Sequence, residues 1–444
     1  MEENISAIAT PHGKGGVAII RISGSTALML ASNMFRPNAK TNVINFQPYR
    51  LYTGEIQTPW FTDYGMCVYF KAPHSYTGED VVEFHCHGGE NIARGILKQT
   101  YALGARPATR GEFTKRAFLN GKLSLASAEG VADMINGESD AEVKAGYLLY
   151  SEKLTEKVKA LQESLTTTLA EIDVSFDYPE EDLEEVQTEK TRCALTAAKI
   201  QIEGLLATYS TGKKIKSGVT VALCGKPNTG KSSLLNCLLG YEKAIVSSVA
   251  GTTRDAVEGV IEIKDRKFNL YDTAGVRESG DEVESIGIRM AEKIMKSADI
   301  AVYVFDGTQP QDEEDARLLK DLGEKPLIKI VNKIDLISGK KLDADLATSA
   351  LTGDGIERLK DLLYEKSFGD RGEDAAFLVE ERHYDALRRA NESLSRAILS
   401  CDGCSLDLIA VDVKECWDAL GEITGETATE TIIEEIFSKF CVGK

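Results

Sequence analysis

The sequence predicts a multidomain α/β protein: an N-terminal α/β domain, an all-helical domain divided along the chain, and a phosphate-loop α/β domain inserted between the two helical halves. Three observations carry this. Short apolar runs broken by Gly, Pro and Asn fill roughly the first 118 residues, helical apolar spacing fills 120–210 and the region after 372, and strand and helix signals alternate over 219–367. With 444 residues, the chain has room for two to four domains of about 100 to 200 residues each.

In order along the chain, residues 1–118 contain strand-like runs such as Val17-Ala18-Ile19-Ile20-Arg21-Ile22 and Val81-Val82-Glu83-Phe84, whose β-branched content and bounding turn residues favour strands. Residues 119–215 form the first helical part. Leu154, Val158, Leu161, Leu165, Leu169 and Ile172 recur at intervals of 4, 3, 4, 4 and 3, which makes one apolar helical face. Pro179 interrupts that pattern, a second helix runs to about Thr208, and the basic stretch Lys213–Lys216 reads as a linker. In residues 216–370 the strands are Val219–Cys224, Phe268–Tyr271, Ile300–Phe305 and Leu327–Val331, and helix-length spacers between them imply a parallel sheet covered on both faces. Residues 371–444 return to helix, with Leu387, Leu394 and Ile398 on one face and a further run from Leu406 to Leu420.

The inserted domain carries the chemistry. Gly225-Lys226-Pro227-Asn228-Thr229-Gly230-Lys231-Ser232 matches G-x-x-x-x-G-K-[ST] directly after an apolar strand and before a helix. Such a loop curls backbone N–H groups around phosphate oxygens at a helix N-terminus. Lys231 is expected at the β and γ phosphates and the Ser232 hydroxyl on Mg²⁺. Asp272-Thr273-Ala274-Gly275 ends the next strand 41 residues after Lys231, and Asn332-Lys333-Ile334-Asp335 ends another 60 residues after Asp272. A buried Asp335 carboxylate is expected to accept from the N1–H and exocyclic amine of guanine, a donor pair that adenine lacks. Ser349-Ala350 fits the loop that backs the base. The order and strand-end placement of these segments predict GTP hydrolysis.

Gly251-Thr252-Thr253-Arg254-Asp255 lies where a switch segment closes over the nucleotide, with Thr253 the candidate second hydroxyl on Mg²⁺. Val276 follows Gly275 where a water-orienting Gln would stand in Ras-like proteins. An apolar side chain does not orient water, so the acidic stretch Glu278, Asp281, Glu282 and Glu284 supplies the alternatives, and spacing does not choose among them.

These segments resemble the TrmE-Era group of GTPases. Gly15–Gly24, Thr77-Gly78-Glu79-Asp80, Gly111-Glu112-Phe113, Arg116–Lys122 and the terminal Phe440-Cys441-Val442-Gly443-Lys444 narrow the resemblance to its bacterial tRNA wobble-uridine modification branch, over the whole chain. The resemblance implies an N-terminal dimerisation and folate-binding domain (1–118), a discontinuous helical domain (119–215 and 371–444) and an inserted Ras-like P-loop G domain (216–370). It implies GTP contacts from Asn228, Thr229, Gly230, Lys231, Ser232, Ser233, Ser247, Thr252, Thr253, Asp272, Thr273, Ala274, Gly275, Asn332, Lys333, Asp335, Ser349 and Ala350. Mg²⁺ falls to Ser232 and Thr253, and K⁺ to Asn228, Ser247, Val249 and Thr252. Glu284 takes the water-positioning role and Cys441 a role in the modification chemistry. A tetrahydrofolate derivative, 5,10-methylene or 5-formyl, falls to Arg21, Glu83, Lys122 and Lys444. The implied partners are a second copy of the chain, tRNA, and an FAD-containing modification enzyme of the MnmG (GidA) type, the FAD residing on that partner. The competing class is an assembly GTPase of the Era kind, which needs no folate site.

Charge and cysteine usage set the remaining expectations. The chain has 52 Lys and Arg against 70 Asp and Glu, a net charge of −18, which excludes a diffuse polybasic nucleic-acid binder. Residues 1–120 hold 12 basic and 9 acidic side chains, net +3, a local balance suited to an anionic ligand. Nine irregularly spaced Cys and an acidic start at Met1-Glu2-Glu3 predict reduced thiols and a cytoplasmic chain without a membrane span or lipid anchor. His85-Cys86-His87 reads as strand because two His lack further ligands. Cys401-Asp402-Gly403-Cys404 reads as a turn between helices.

Overall fold

The computed structural model describes residues 3–177, 181–240, 259–272, 294–295, 297–323, 325–337, 344–369, 378, 380–403 and 405–444, side chains of 175–186 excepted. They form two compact units. One comprises Met1–Asn136, Gly146–Glu203 and Asp385–Lys444, and the other Gly137–Ala145 and Gly204–Tyr384.

The first unit opens with strands β1 (Ile5–Ile8), β2 (Val17–Ser23), β3 (Phe35–Pro37), β4 (Leu51–Gln57), β5 (Thr62–Phe70), β6 (Val81–His87) and β7 (Arg106–Pro107). They join in the order β3-β4-β5-β6-β2-β1-β7, antiparallel throughout except where β1 meets β7. Alternate residues Ile20, Ile22, Val82, Phe84, Ile56 and Cys67 share one buried core with Ala93 and Ile96 of the helix Glu90–Ala102. Period-two alternation thus leaves Arg21, Glu83 and His85 on the opposite face. Arg21 lies opposite Glu83 in the β2–β6 register. The helix Lys153–Asp177 buries Leu154, Val158, Leu161, Leu165 and Ile172 of the stripe read from the sequence and leaves Leu169 half-buried. In the same unit the helix Leu406–Thr424 buries Ile409, Val413, Cys416 and Leu420. Cys401 is buried in the turn after the helix Glu381–Ser400, and Cys404 lies outside the described residues.

The second unit is built on β8 (Val219–Cys224), β9 (Gly259–Ile263), β10 (Arg266–Asp272), β11 (Ile300–Asp306), β12 (Leu327–Asn332) and β13 (Leu346–Ala347), in the order β13-β12-β11-β8-β10-β9. β11 is buried from Ile300 through Phe305, as expected of a strand covered on both faces. Two sequence expectations are corrected here. The sheet is mixed, because β9 pairs antiparallel with β10. Their two-residue connection, Lys264-Asp265, has φ of +50° and +60°, the primed-turn geometry that hairpins favour; without Gly or Asn the turn lacks its usual compositional mark. The basic stretch Lys213–Lys216 is not a linker but part of a helix, Tyr209–Ser217, with Gly212 and Ile215 buried. Lys214 and Lys216 occupy its last turn, where cations complement the helix dipole. Lys214 Nζ donates to the Ser367 carbonyl at 3.0 Å.

Candidate functional site

The phosphate loop runs from the end of β8 into the helix Lys231–Gly240. Its glycines are dictated by space as well as conformation. Gly225 has φ +138° and a Cβ there would lie 2.5 Å from the Val304 carbonyl oxygen; Gly230 has φ +91° and its Cβ would meet Asn332 Nδ2 at 2.3 Å. Both positions exclude larger residues. Lys231 is buried, its Nζ donating to the carbonyls of Gly225 at 3.0 Å and Lys226 at 2.6 Å. That places an ammonium inside the curl of the loop, where phosphate charge needs it. Ser232 Oγ donates to Asp272 Oδ2 at 2.6 Å. This hydroxyl and carboxylate are hard oxygen donors of the kind Mg²⁺ takes, so the pair fits a divalent cation. Ser233 is exposed in the same first turn.

The second loop of the site ends β12. Asn332 is buried and bridges two segments: Nδ2 donates to the Thr229 carbonyl at 3.1 Å, and Oδ1 accepts from the Ala350 amide at 3.0 Å. Lys333, at φ +65°, sends Nζ to the Asn228 carbonyl at 2.6 Å and to Asp306 Oδ2 at 2.7 Å. Asn228 itself sits at φ +61°. Ser349 Oγ donates to Asp335 Oδ1 at 2.5 Å. The structure therefore brings Asn228, Thr229, Gly230, Lys231, Ser232, Asp272, Asn332, Lys333, Asp335, Ser349 and Ala350 to one end of the sheet, the carboxyl ends of its parallel strands. One expectation is corrected: Asp335 is exposed, not buried, because it sits in a short 3₁₀ turn, Ile334–Leu336, beyond the strand end. Ser349 fixes its carboxylate there. Ser247, Val249, Thr252, Thr253, Thr273, Ala274, Gly275 and Glu284 lie outside the described residues, as do Glu278, Asp281 and Glu282.

A second constellation forms in the first unit, on the face of the seven-stranded sheet away from its core. Arg21 Nε donates to Glu83 Oε1 at 2.7 Å, and its Nη1 to the Gly443 carbonyl at 3.4 Å. The guanidinium lies 5.6 Å from the ring centres of both Tyr76 and Phe113, within cation–π range. His85 Nε2 stands 3.3 Å from Glu83 Oε2. Burial alone would push the Glu83 carboxyl up, but His85 and Arg21 outweigh it and hold the group below its ordinary range. The C-terminal residues reach this place through an antiparallel bridge between Val442 and Arg110 and a 3.4 Å bond from the Gly111 amide to the Cys441 carbonyl. Cys441 is an exposed free thiol. Lys122 is exposed; its amide donates to the Ala117 carbonyl at 2.8 Å, and its loop is tied back by Asn120 Nδ2 to the Thr77 carbonyl at 2.7 Å.

Tyr76 and Phe113 beside Arg21, and His85 beside Glu83, complete the surroundings of this pair and are not singled out as site residues by the sequence. Phe113 closes the segment Gly111-Glu112-Phe113, Tyr76 directly precedes Thr77-Gly78-Glu79-Asp80, and His85 follows Glu83 by one strand period, so alternation is the signal available for it. His87 Nδ1 pairs instead with Asp63 Oδ1 at 2.7 Å. Among the described residues no cluster of three or more His, Cys, Asp or Glu is arranged to hold a metal ion, and no helix is long and apolar enough to cross a membrane.

Residues 4–122 match the family model described as GTP-binding protein TrmE N-terminus, and residues 125–441 match the MnmE helical domain. Two curated relatives, each described as tRNA modification GTPase MnmE, align over the full length of both chains. The one from Natranaerobius thermophilus is 39% identical over 460 positions, and the one from Moorella thermoacetica 40% identical over 464, with 100% of each chain covered.

Proposed function

The chain belongs to the MnmE family of tRNA modification GTPases, and from that premise we propose how its two constellations divide the work. The protein is a GTPase. In our reading it acts on tRNA with an FAD-containing partner of the MnmG type, adding a carboxymethylaminomethyl or aminomethyl group at C5 of the wobble uridine. The one-carbon unit comes from 5,10-methylene-tetrahydrofolate. GTP hydrolysis, with Mg²⁺ at Ser232 and Thr253, drives K⁺-dependent association of two G domains in a cytoplasmic homodimer. The domain division 1–118, 119–215, 216–370 and 371–444 follows the same reading.

The observation that carries the folate assignment is the meeting of Arg21, Glu83 and the Gly443 carbonyl beside the Tyr76 and Phe113 rings. A pterin presents a planar π-face and a donor–acceptor edge, which aromatic rings, a carboxylate and a backbone carbonyl complement. The glutamyl carboxylates of a folate suit Lys122 and Lys444. Cys441, two residues before Gly443, places a thiol on the same terminal segment, while Glu284 positions the attacking water and Asn228, Ser247, Val249 and Thr252 hold K⁺.

Calorimetric titration with 5-formyl-tetrahydrofolate tests the reading. The full chain is expected to bind at one site per protomer, and Arg21→Ala and Glu83→Ala each to weaken binding at least about tenfold, the loss expected for a charged hydrogen bond. An absence of binding favours an assembly GTPase of the Era kind and sinks the folate role.

A further inference from the structure

We propose that Lys226 is a positioning residue for GTP: its side chain moors the phosphate loop to the helix Glu313–Asp321, and the nucleotide feels it through the loop. The G-x-x-x-x-G-K-[ST] pattern leaves position 226 open, so the motif assigns this lysine nothing. Its Nζ lies 2.6 Å from Asp312 Oδ1 and 2.8 Å from Asp315 Oδ2.

The acidic seat is built independently of the lysine. Asp312 is the N-cap of the helix, Oδ1 accepting from the amides of Glu314 at 2.9 Å and Asp315 at 3.2 Å, while Asp315 Oδ2 accepts from the Asp312 amide at 3.1 Å. The buried Tyr303 hydroxyl on β11 donates to Asp315 Oδ1 at 2.9 Å. Each carboxylate is thus oriented by partners other than Lys226, which is what a preorganised anchor requires. The Asp315 side chain is 8% exposed and that of Lys226 20%, against 56% for Asp312. The Lys226–Asp315 contact is therefore the less screened of the two, and the Lys226–Asp312 contact the shorter.

The other end of Lys226 shows what is being held. Its own carbonyl accepts Lys231 Nζ at 2.6 Å and Thr229 Oγ at 3.0 Å, so the peptide that seats the phosphate-binding lysine belongs to the residue whose side chain is anchored. Asn332 at Thr229 and Lys333 at Asn228 grip the loop through the base-recognition segment. Lys226 adds a tie to the helix that follows β11. Its ammonium faces two carboxylates, so its charge is spent there and not on phosphate. A loop without this tie must be ordered when nucleotide binds, and that entropic cost falls on affinity.

The test is a fluorescent-GDP titration together with steady-state GTP hydrolysis on the full chain. The variants are Lys226→Met, Lys226→Arg, Asp312→Asn, Asp315→Asn and the double Lys226→Met/Asp315→Asn. Lys226→Met is expected to weaken GDP about tenfold, the loss of a charge-assisted hydrogen bond, and to raise KM for GTP more than it lowers kcat. Lys226→Arg restores most of the loss, Asp315→Asn weakens binding in the same direction, and the double variant is no worse than the weaker-binding single, as coupled residues require. Asp312→Asn keeps a capable N-cap and is expected to weaken binding by a smaller factor; as a solvent-facing change it stands in if an Asp315 variant does not fold. A lysine that contacted phosphate directly would be released by removing its carboxylates, so tighter GDP binding in Asp312→Asn or Asp315→Asn overturns the proposal. Unchanged affinity in Lys226→Met, or fully additive losses in the double variant, overturns it as well.

Discussion

Asn332 Nδ2 donates to the Thr229 carbonyl at 3.1 Å while its Oδ1 accepts the Ala350 amide at 3.0 Å, so one buried amide couples the phosphate loop to the loop behind the base. Asn332→Ala removes a donor and an acceptor at once and leaves the Thr229 carbonyl and the Ala350 amide without them, a penalty of about 1–3 kcal/mol for each group that stays out of water. The expected outcome is GDP and GTP affinity lowered by at least about tenfold, measured by fluorescent-nucleotide titration. Affinity equal to the parent's would mean that the two loops keep their places without this bridge.

Asp335 is aimed by Ser349 at 2.5 Å, and its exposed position is what makes its chemistry exchangeable. A carboxylate accepts the N1–H and amine of guanine. The amide in Asp335→Asn accepts one hydrogen and donates another, which suits xanthine, where a carbonyl replaces the amine. GTP affinity is expected to fall by about 100-fold, since a site built for those donors is left mispaired, with xanthosine triphosphate gaining in its place. Competition titrations with both triphosphates measure the exchange, and retained preference for GTP counts against Asp335 as the base reader.

Glu112 gives the first unit a defined acid sensitivity. Burial pushes its carboxyl up, but hydrogen bonds from Arg106 and from the Thr109 amide outweigh this and hold it at about 2, against an ordinary 4.5. Because the folded value is depressed, the stabilisation is complete above about 4.5 and is lost as pH falls from there toward about 2. Glu112→Gln should lower the denaturation midpoint at neutral pH and flatten the decline between those two values. Parallel midpoint-against-pH curves for parent and variant, followed by circular dichroism, would show that the pairing contributes nothing.

The docking of the C-terminal segment depends on Gly443. Its φ is +100° and an added Cβ would lie 2.3 Å from the Ile8 carbonyl oxygen, so Gly443→Ala combines a backbone conformation costing on the order of 1–3 kcal/mol for a non-Gly residue with a clash against main chain. The tail is expected to lift, releasing the Gly443 carbonyl from Arg21, and hydrogen exchange at residues near Ile8 and Gly111 to accelerate several-fold while GTP turnover stays unchanged. Gly104, at φ +105° with nothing within 4 Å, is the control for strain without a clash. Equal exchange in the parent and Gly443→Ala would mean that the tail does not rely on this approach.

Legibility in the sequence followed the range of the interactions involved. The helical stripe from Leu154 to Ile172 is buried where its spacing placed it except at Leu169, which is half-buried, because a helix face is set by residues three and four apart. β9 escaped notice because its Lys264-Asp265 turn adopts positive φ without the usual residues, and the helix over Lys213–Lys216 because its buried contacts, Gly212 and Ile215, come one turn apart in a mostly basic stretch.

By itself the sequence determined the phosphate loop, the Asn332–Asp335 segment and their order, since both are contiguous motifs whose backbone geometry is local. It also determined which residues alternate onto each face of β2 and β6. Tertiary structure alone decided that Arg21 meets Glu83, Gly443, Tyr76 and Phe113, and that Lys226 faces Asp312 and Asp315. The physical reason is the same in each case. These contacts join residues far apart in the chain, and an ion pair or ring contact forms only where packing of the intervening strands and helices brings its partners within a few ångströms, a condition no spacing in the sequence encodes.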